Sequence, residues 1–405
     1  MISRYAGISP KSDLILLGLL GEKLKGKSFL HVNSTKEGGG VAEILHRMVP
    51  IMADLGVDVR WETIEGDELF FDITKRIHNA LQGNRETITK SMWQHHFEVN
   101  RRNAETMTLD ADMVLIHDPQ PAPLIKFKKS GRWVWRCHID VSNPVKEIST
   151  PLFRYCGKFD AAVFSVARFA KAIGIDEFII PPSIDPLSEK NIELPDHEVR
   201  DILHQFNIPS DRPIILQVSR FDRFKDPIGV IEAFRIVRKY NDCILVLVGS
   251  PATDDPEGEL VLQEVREHAA SDEDIHVLLL PPFSDLHINA FQRAATVVLQ
   301  KSLKEGFGLT VSEAMWKGKP VIGGAVGGIP LQIIHGVTGF LVHTVEGAAF
   351  RIRQLLNNPE MAKRMGEQGR EHVRKHFLIT RQVRDYLSLW YAMENGVNGQ
   401  RGFFI

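Results

Sequence analysis

Short apolar runs recur along the chain and alternate with longer stretches in which apolar residues return at helical spacing. Such runs are typical of buried strands in a parallel sheet, and the stretches between them are typical of the helices that cover it. The strands predicted in this way cover residues 29–33, 57–61, 113–117, 133–138, 161–164, 178–180, 214–218, 244–248, 277–280, 297–300, 320–322 and 340–342. The alternation predicts an α/β protein with doubly wound parallel sheets.

A turn-rich segment interrupts this alternation. Three prolines fall within residues 181–186, and a charged stretch follows as far as Arg212. Composition shifts of this kind are typical of domain boundaries. We therefore expect an N-terminal domain over residues 1–185, a second domain over residues 186–378, and a C-terminal helix with a loose tail over residues 379–405.

The composition narrows the class of protein. A chain of 405 residues with 43% hydrophobic and 25% charged residues is typical of a globular protein with two domains. Its 49 basic and 51 acidic residues nearly balance, so no nucleic-acid partner is expected. The three cysteines form no C-x-x-C pair, which favours reduced thiols in a cytoplasmic protein. The apolar run 14–20 is too short to cross a bilayer, so we expect neither a signal peptide nor a membrane segment.

The densest candidate chemistry lies between Lys304 and Ile329. Glu305 precedes a Gly-Phe-Gly turn, and Glu313 falls in the predicted first turn of a helix over residues 309–318. A glycine turn that leads into a helix N-terminus presents free N–H groups to a phosphate. Acidic side chains beside a phosphate site are suited to sugar hydroxyls instead, whose hydrogen bonds they accept. The stretch therefore predicts a nucleotide-sugar site.

Basic side chains follow the first predicted strand of the second domain, where the ligands of open α/β sheets collect. Arg220 and Lys225 share the loop after residues 214–218. Arginine donates in a bidentate manner and lysine acts as a point charge, so the pair suits a diphosphate. We single out no metal-ligand cluster, so these cations and the helix N-terminus would do the work that a divalent ion does elsewhere.

The first domain carries polar residues at the same kind of strand end. Gly39 and Gly40 lie between the first predicted strand and the helix after it, as in the ligand loop of an open α/β sheet. Asp118 and Gln120 follow the third strand and are candidates for holding acceptor hydroxyls, and His138 ends the fourth.

Two common nucleotide-binding patterns do not fit this chain well. Residues 21–28 match the P-loop letter for letter, but a predicted strand follows them, whereas a P-loop itself follows a strand. Glu43 stands where the dinucleotide fingerprint needs a glycine, which disfavours an NAD-dependent oxidoreductase.

The complete string KEGFGLTVSEAMWKGKPVIGGAVGGI resembles the signature of retaining glycosyltransferases of family four. That family has the GT-B fold, in which two Rossmann-like domains face a deep interdomain cleft and the last helix crosses back to the first domain. Within the family, several strings of this chain resemble the trehalose glycosyltransferring synthases. They are HVNSTKEGGGVAE, HDPQP, PPSIDPLSEKN, QVSRFD and NAFQRA. The resemblance covers most of residues 28–345.

The resemblance implies a role for each candidate. Arg220 and Lys225 would hold the leaving diphosphate, Glu305 and His138 would reach the donor sugar, and Glu313 would hold the ribose. The implied donor-binding residues are Gly39, Gly40, Phe307, Gly308, Leu309, Thr310 and Glu313, and the acceptor-binding residues are Glu37, Asp118 and Gln120. Asp226 stands where many relatives have glycine, and Gly324 stands where a basic residue is expected.

The activity implied is reversible transfer of glucose, with retention, from a nucleoside diphosphate glucose to free glucose, which gives α,α-trehalose. The donor would be ADP-, UDP- or GDP-glucose, with no cofactor required and Mg²⁺ at most stimulatory, and the family suggests a homodimer. A retaining trehalose phosphorylase is the nearest alternative, ahead of a sucrose or sucrose-phosphate synthase. A protein that binds a nucleotide-sugar without turnover is the alternative from another class.

Overall fold

The computed structural model describes residues 1–37, 39–249 and 256–396. The chain forms two compact units, one of Met1–Pro182 with the segment from Ile379 onward, and one of Ser183–Leu378. The domain limits expected from the sequence, at 185 and 378, lie at or within three residues of these divisions. The expected tail lies outside the described residues beyond 396.

Strands and helices alternate through both units. The strands are β1 (Ser28–Asn33), β2 (Asp58–Thr63), β3 (Met113–His117), β4 (Arg132–Cys137), β5 (Ala161–Phe164), β6 (Asp176–Ile179), β7 (Ile214–Val218), β8 (Ile244–Gly249), β9 (Ile275–Leu279), β10 (Val297–Gln300), β11 (Val321–Gly324) and β12 (Gly339–Val342). The helices are α1 (Lys11–Lys23), α2 (Gly39–Asp54), α3 (Glu68–Leu81), α4 (Lys90–Thr106), α5 (Lys146–Cys156), α6 (Asp196–Gln205), α7 (Pro227–Arg238), α8 (Pro256–Ala269), α9 (Asp285–Ala294), α10 (Leu309–Trp316), α11 (Ile329–Gln332), α12 (Val345–Leu356), α13 (Pro359–His376) and α14 (Ile379–Glu394). The predicted α/β class is confirmed.

Each unit contains a six-stranded sheet whose neighbouring strands are all parallel. The first sheet has the order β2-β1-β3-β4-β5-β6, and the second has the order β12-β11-β10-β7-β8-β9. Counted from its own first strand, the second sheet has the order of the dinucleotide-binding Rossmann fold. The strand order reverses between β1 and β3 in one sheet and between β7 and β10 in the other, and ligands of such sheets bind at the carboxyl ends of the strands beside this reversal.

The structure places every predicted strand within two residues of its expected ends. The apolar pattern works because interior strands such as β3, β7 and β8 are buried along their whole length. It fails at edges, where backbone pairing extends a strand through polar residues. Glu62 and Thr63 extend β2 beside β1, and Asp176 and Glu177 begin β6 beside β5.

Helix α14 belongs to the first unit by its packing. Trp390 is fully buried and lies edge-on to Phe29 of β1, with 5.2 Å between the ring centroids. Arg384 donates from Nη1 to Oδ1 of Asp13 in α1 at 2.6 Å. The first unit therefore includes α14, which packs against α1 and β1.

The close packing of α13 against the end of α10 gives a first prediction. A Cβ on Gly366 would lie 1.8 Å from the carbonyl oxygen of Gly318. We expect Gly366→Ala to lower the free energy of unfolding by about 1–3 kcal/mol, because the helix has to shift. Gly18 of α1 is the matched control, since it is exposed and a Cβ there meets nothing within 4 Å.

Gly18→Ala is expected to raise the free energy of unfolding by about 0.5–1 kcal/mol, because it removes glycine from a helix interior. The midpoint of urea unfolding measures both changes. An unchanged midpoint for Gly366→Ala would contradict the contact between α13 and Gly318.

Candidate functional site

Two loops of the second unit meet at the carboxyl edge of its sheet, beside the reversal of strand order. Lys225, in the loop after β7, donates from Nζ to Oε2 of Glu305, in the loop after β10, at 2.6 Å. The backbone joins the same loops, since the N–H of Leu303 donates to the carbonyl of Phe224 at 2.7 Å. The fold thus brings together a cation and a carboxylate that are 80 residues apart in the sequence.

Glu305 is held as a buried carboxylate. Its Oε2 also accepts hydrogen bonds from Oγ of Ser302 at 3.1 Å and from Nε2 of Gln300 at 3.2 Å. Burial raises the pKa of Glu305, but the charge and hydrogen bond of Lys225, with the bonds from Ser302 and Gln300, bring this pKa below its usual value. The ionised group is therefore an acceptor for hydroxyl donors at neutral pH.

The turn after Glu305 leads directly into α10. Gly308 is the N-cap residue of that helix, has φ +82°, and makes no side-chain capping hydrogen bond. Gln332 holds the turn from the other side, because its Nε2 donates to the carbonyl of Phe307 at 2.6 Å. The N–H groups that begin α10, at Leu309 and Thr310, lie at the positive end of the helix dipole, which suits an anion.

The glycine cluster after β11 packs against this turn. Gly327 has φ +56°, and a Cβ there would lie 1.7 Å from the carbonyl oxygen of Glu305. Gly327 therefore lies close to the backbone of the turn that begins at Glu305. At Gly324 a Cβ would lie 2.3 Å from the carbonyl oxygen of Ser302, so the basic residue expected there does not fit this backbone.

Glu313 lies in the second turn of α10, so its predicted place in the first turn is wrong. Four helical residues precede it, because α10 begins at Leu309. The side chain is 3% exposed, and its Oε2 accepts a hydrogen bond from Nε2 of Gln292 at 3.1 Å. Nζ of Lys190 lies 3.9 Å from Oε1. The side chain of Glu313 is therefore held in place by Gln292 and lies near Lys190.

Arg220 does not join Lys225 at Glu305. Its side chain is 54% exposed, and its guanidinium lies 3.8 Å from the carboxylate of Asp222. The two basic residues predicted to act together share a loop, but only Lys225 contacts the carboxylate in the described part of the chain.

The backbone conformation and contacts of Asp226 account for an aspartate at a position where glycine was expected. It has φ +52°, a backbone conformation that favours glycine and tolerates aspartate. Its side chain accepts a hydrogen bond from the N–H of Gly229 at 3.2 Å and so caps α7. It also pairs with the buried Nζ of Lys301, a contact that the sequence alone does not predict.

The first unit places His138 and Asp118 together at the carboxyl ends of β3 and β4. The backbone N–H of His138 donates to Oδ1 of Asp118 at 2.7 Å, and Asp118 has φ +65°. Burial raises the pKa of Asp118 to about 7, against the opposing effects of the His138 N–H and of Arg136. This carboxyl group is half-buried and titrates near neutrality.

His138 also ends a row of three histidines. Its Nε2 lies 3.0 Å from Nδ1 of His117, and Nε2 of His117 lies 3.1 Å from Nδ1 of His31. The sequence alone does not predict this row, because it depends on the register between β1, β3 and β4.

The remaining predicted residues lie in the loops that follow β1 and β3. Glu37 is exposed, and its N–H donates to Oγ1 of Thr35 at 3.0 Å. Gly39 has φ +75° and begins α2, with Gly40 exposed beside it. Oε1 of Gln120 is buried and has no hydrogen-bond partner among the described residues. No contact among the described residues joins Glu37 to Gln120, so their shared acceptor role stays a prediction.

Within the ranges 1–37, 39–249 and 256–396, no group of three or more His, Cys, Asp or Glu side chains is placed to hold a metal ion. In the same ranges no helix is both long and apolar enough to cross a bilayer.

Comparison with known proteins identifies relatives along most of the chain. The family described as trehalose synthase, N-terminal domain, matches residues 31–171, and the family described as glycosyl transferases group 1 matches residues 199–372. Trehalose synthases from Pyrococcus horikoshii and Rubrobacter xylanophilus are 47% and 44% identical to the chain, over 95% and 92% of it and 94% and 92% of their own lengths. Trehalose phosphorylase from Grifola frondosa is 29% identical over 84% of the chain and 54% of its own length.

Solved structures share the fold. A sucrose-phosphate synthase from Thermosynechococcus elongatus has a TM-score of 0.71 and 19% identity, and it aligns over 91% of this chain and 100% of its own. An α,α-trehalose 6-phosphate synthase from Burkholderia multivorans has a TM-score of 0.74 and 14% identity, over 92% of this chain and 100% of its own. The expected pair of Rossmann-like domains of the GT-B class is confirmed.

Proposed function

Because the chain belongs to the trehalose synthase family of glycosyltransferases, we propose that it transfers glucose reversibly from a nucleoside diphosphate glucose to free glucose and forms α,α-trehalose with retention. The contact between Lys225 and Glu305 carries this proposal. It joins a cation suited to a diphosphate and a carboxylate suited to sugar hydroxyls beside the reversal of strand order, where sheets of this kind bind their ligands.

The second unit is proposed to bind the donor. Glu305 accepts hydrogen bonds from the hydroxyls of the glucosyl group, and Glu313 accepts them from the ribose. Lys225, Arg220 and the N–H groups that begin α10 hold the diphosphate. Lys225 and the turn before α10 are held by hydrogen bonds to Glu305 and from Gln332, so their charges are in place to stabilise the negative charge that develops as the diphosphate departs.

The transfer is proposed to occur on one face of the sugar. The bond between C1 of glucose and the β-phosphate oxygen breaks, and its electron pair leaves with the nucleoside diphosphate. The acceptor hydroxyl oxygen then bonds to C1 from the same side, and its proton passes to the departing phosphate oxygen. No side chain needs to form a covalent intermediate, and the α configuration is retained.

The first unit is proposed to bind the acceptor glucose. Asp118, Gln120 and Glu37 hold its hydroxyls, the loop at Gly39 and Gly40 lies against the donor phosphates, and His138 reaches the donor sugar. The donor is proposed to be ADP-, UDP- or GDP-glucose, with no cofactor required and Mg²⁺ at most stimulatory. A cytoplasmic homodimer also stays a prediction.

The state of Asp118 gives a pH prediction. Its pKa of about 7 makes the carboxylate dominant above that pH and the neutral acid dominant below it. The carboxylate is the better acceptor of a sugar hydroxyl, so we expect the KM for glucose to rise as pH falls from about 8 to about 6. Steady-state kinetics with varied glucose measures this change. Asp118→Asn should raise KM and remove its dependence on pH, whereas a KM that stays constant in the native protein would contradict the role of Asp118.

A labelled-donor experiment tests the proposed function. The protein is incubated with free glucose and with ADP-, UDP- or GDP-glucose that carries ¹³C at C1, and the products are followed by NMR. We expect the label in a disaccharide whose two anomeric centres are both α, together with one free nucleoside diphosphate per linkage. A labelled β linkage would contradict retention. Donor that binds but releases no nucleoside diphosphate would indicate a binding protein without turnover.

A further inference from the structure

We propose that His117, which is itself in contact with His31, is a positioning residue that fixes the proton of His138 on Nδ1. His138 then donates a hydrogen bond from Nδ1 to an oxygen of the bound sugar. The contact with sugar rests on the proposed function. The protonation pattern rests on the geometry of the three rings and is testable without substrate.

The three histidines form a diagonal row across the first sheet. His31 of β1 pairs in register with Leu115 of β3, two residues before His117. His117 pairs with Arg136 of β4, two residues before His138. Each histidine therefore lies one strand over and two residues further along than the last. Since side chains two residues apart share a face of a sheet, the rings meet on one face.

The rings contact one another through their nitrogen atoms. The two N···N distances are 3.1 Å and 3.0 Å, and the ring planes of neighbouring histidines lie within 23° of parallel. Both distances are those of hydrogen bonds. In each contact, Nδ1 of one ring faces Nε2 of the next. The two hydrogen bonds therefore point the same way along the row, either from His31 towards His138 or from His138 towards His31.

All three rings are neutral at ordinary pH. Burial lowers the pKa of His31 to about 3, and it lowers the pKa of His138 well below the usual value. Burial, with His138, His31 and Arg136 nearby, does the same to the pKa of His117. A neutral imidazole has one N–H and one acceptor nitrogen. Two hydrogen bonds in a row then allow only two patterns, with every proton on Nδ1 or every proton on Nε2.

The buried end of the row selects between these patterns. Nε2 of His31 is buried and has no hydrogen-bond partner among the described residues. With every proton on Nε2, that atom would be a buried N–H without an acceptor. With every proton on Nδ1, it is only an unused lone pair. Buried N–H groups without acceptors are the rarer case in folded proteins, so the pattern with protons on Nδ1 is favoured.

The consequence appears at His138, which is half-buried whereas His31 and His117 are buried. Its Nε2 accepts the hydrogen bond from His117, so its Nδ1 is left as a donor. A donor at this position binds a sugar oxygen, and it does not remove the proton of a hydroxyl. The histidines therefore orient a sugar and do not supply a general base. Hydrogen bonding by a second residue fixes the tautomer of a functional histidine in the same way at metal sites.

NMR of the full-length protein labelled with ¹⁵N-histidine tests the pattern without substrate. The ring signals are assigned from the single variants His31→Asn, His117→Asn and His138→Asn. We expect His31, His117 and His138 each to carry the proton on Nδ1. Protons on Nε2 of these rings would overturn the proposal, whatever the protein catalyses.

Two variants of His117 then separate positioning from packing. Asparagine places an amide N–H where Nδ1 of histidine lies, and leucine fills the space without a donor. We expect His117→Leu to lower kcat/KM by about tenfold or more, and His117→Asn to recover most of that loss. Equal loss in both variants, with unchanged unfolding midpoints, would overturn the positioning role. If the native protein forms no trehalose, the proposed function fails, and the ¹⁵N signals still decide the protonation pattern.

Discussion

Glu305→Ala is expected to lower kcat/KM for trehalose formation by about 10²–10³-fold, the loss typical of a preorganised group that acts in the transition state. The carboxylate receives hydrogen bonds from Lys225, Ser302 and Gln300, all on Oε2, so it is rigid before substrate binds. Steady-state kinetics in the direction of synthesis measures the effect. Activity within about twofold of the native protein would remove Glu305 from the site, since RT ln 2 is small beside these losses.

Controls for this variant address folding. Alanine leaves Lys225 without its buried partner, and breaking a buried ion pair costs about 3–5 kcal/mol of stability. Glu305→Gln keeps the volume and an oxygen for Lys225, so it is expected to fold normally and still lose most activity through the lost charge. Glu367 is exposed on α13, and Glu367→Ala should leave kcat/KM unchanged. The unfolding midpoints of all three variants show whether lost activity reflects the site or the fold.

Lys225→Ala is expected to have the second large effect, a loss of about 10²–10³-fold in kcat, because its ammonium stabilises the departing diphosphate. Lys225→Arg keeps the charge with a different geometry and should recover part of the loss. Lys363, exposed on α13, provides the matched control Lys363→Ala with unchanged activity. A Lys225→Ala variant with native kcat and a raised KM alone would indicate ground-state binding instead.

Much of the fold could be predicted because its strands are buried on both faces. Such strands appear in the sequence as apolar runs, and the runs at β3, β7 and β10 coincide with the strands observed. Edge strands were predicted less well, since Glu62 and Asp176 join them through backbone hydrogen bonds that do not depend on apolar side chains.

The site was predicted residue by residue but not as an assembly. Glu305 and Lys225 were identified by their motifs, yet their contact depends on β7 and β10 being neighbours, which the strand order alone decides. The hydrogen bonds from Gln300 and Ser302 depend on the conformation of the loop after β10. The glycine cluster was expected to let the backbone approach a partner closely, and the structure shows that Gly327 approaches the carbonyl of Glu305.

The histidine row shows a further limit of the sequence. His31, His117 and His138 are separated by 86 and 21 residues. Taken by itself, each residue is a histidine in or beside a strand, and the sequence around it does not indicate the other two. Only the order and register of three parallel strands, which are far apart in the sequence, bring the three side chains into contact.

The central claim is tested most directly in the reverse direction. The protein is incubated with trehalose and, in separate reactions, with ADP, UDP, GDP or inorganic phosphate, and the sugar products are identified. We expect a nucleoside diphosphate glucose with at least one nucleotide, and its loss in Glu305→Ala. Glucose 1-phosphate formed only with inorganic phosphate would contradict the account and identify a phosphorylase. No product in any of the four reactions would contradict the proposed activity on trehalose.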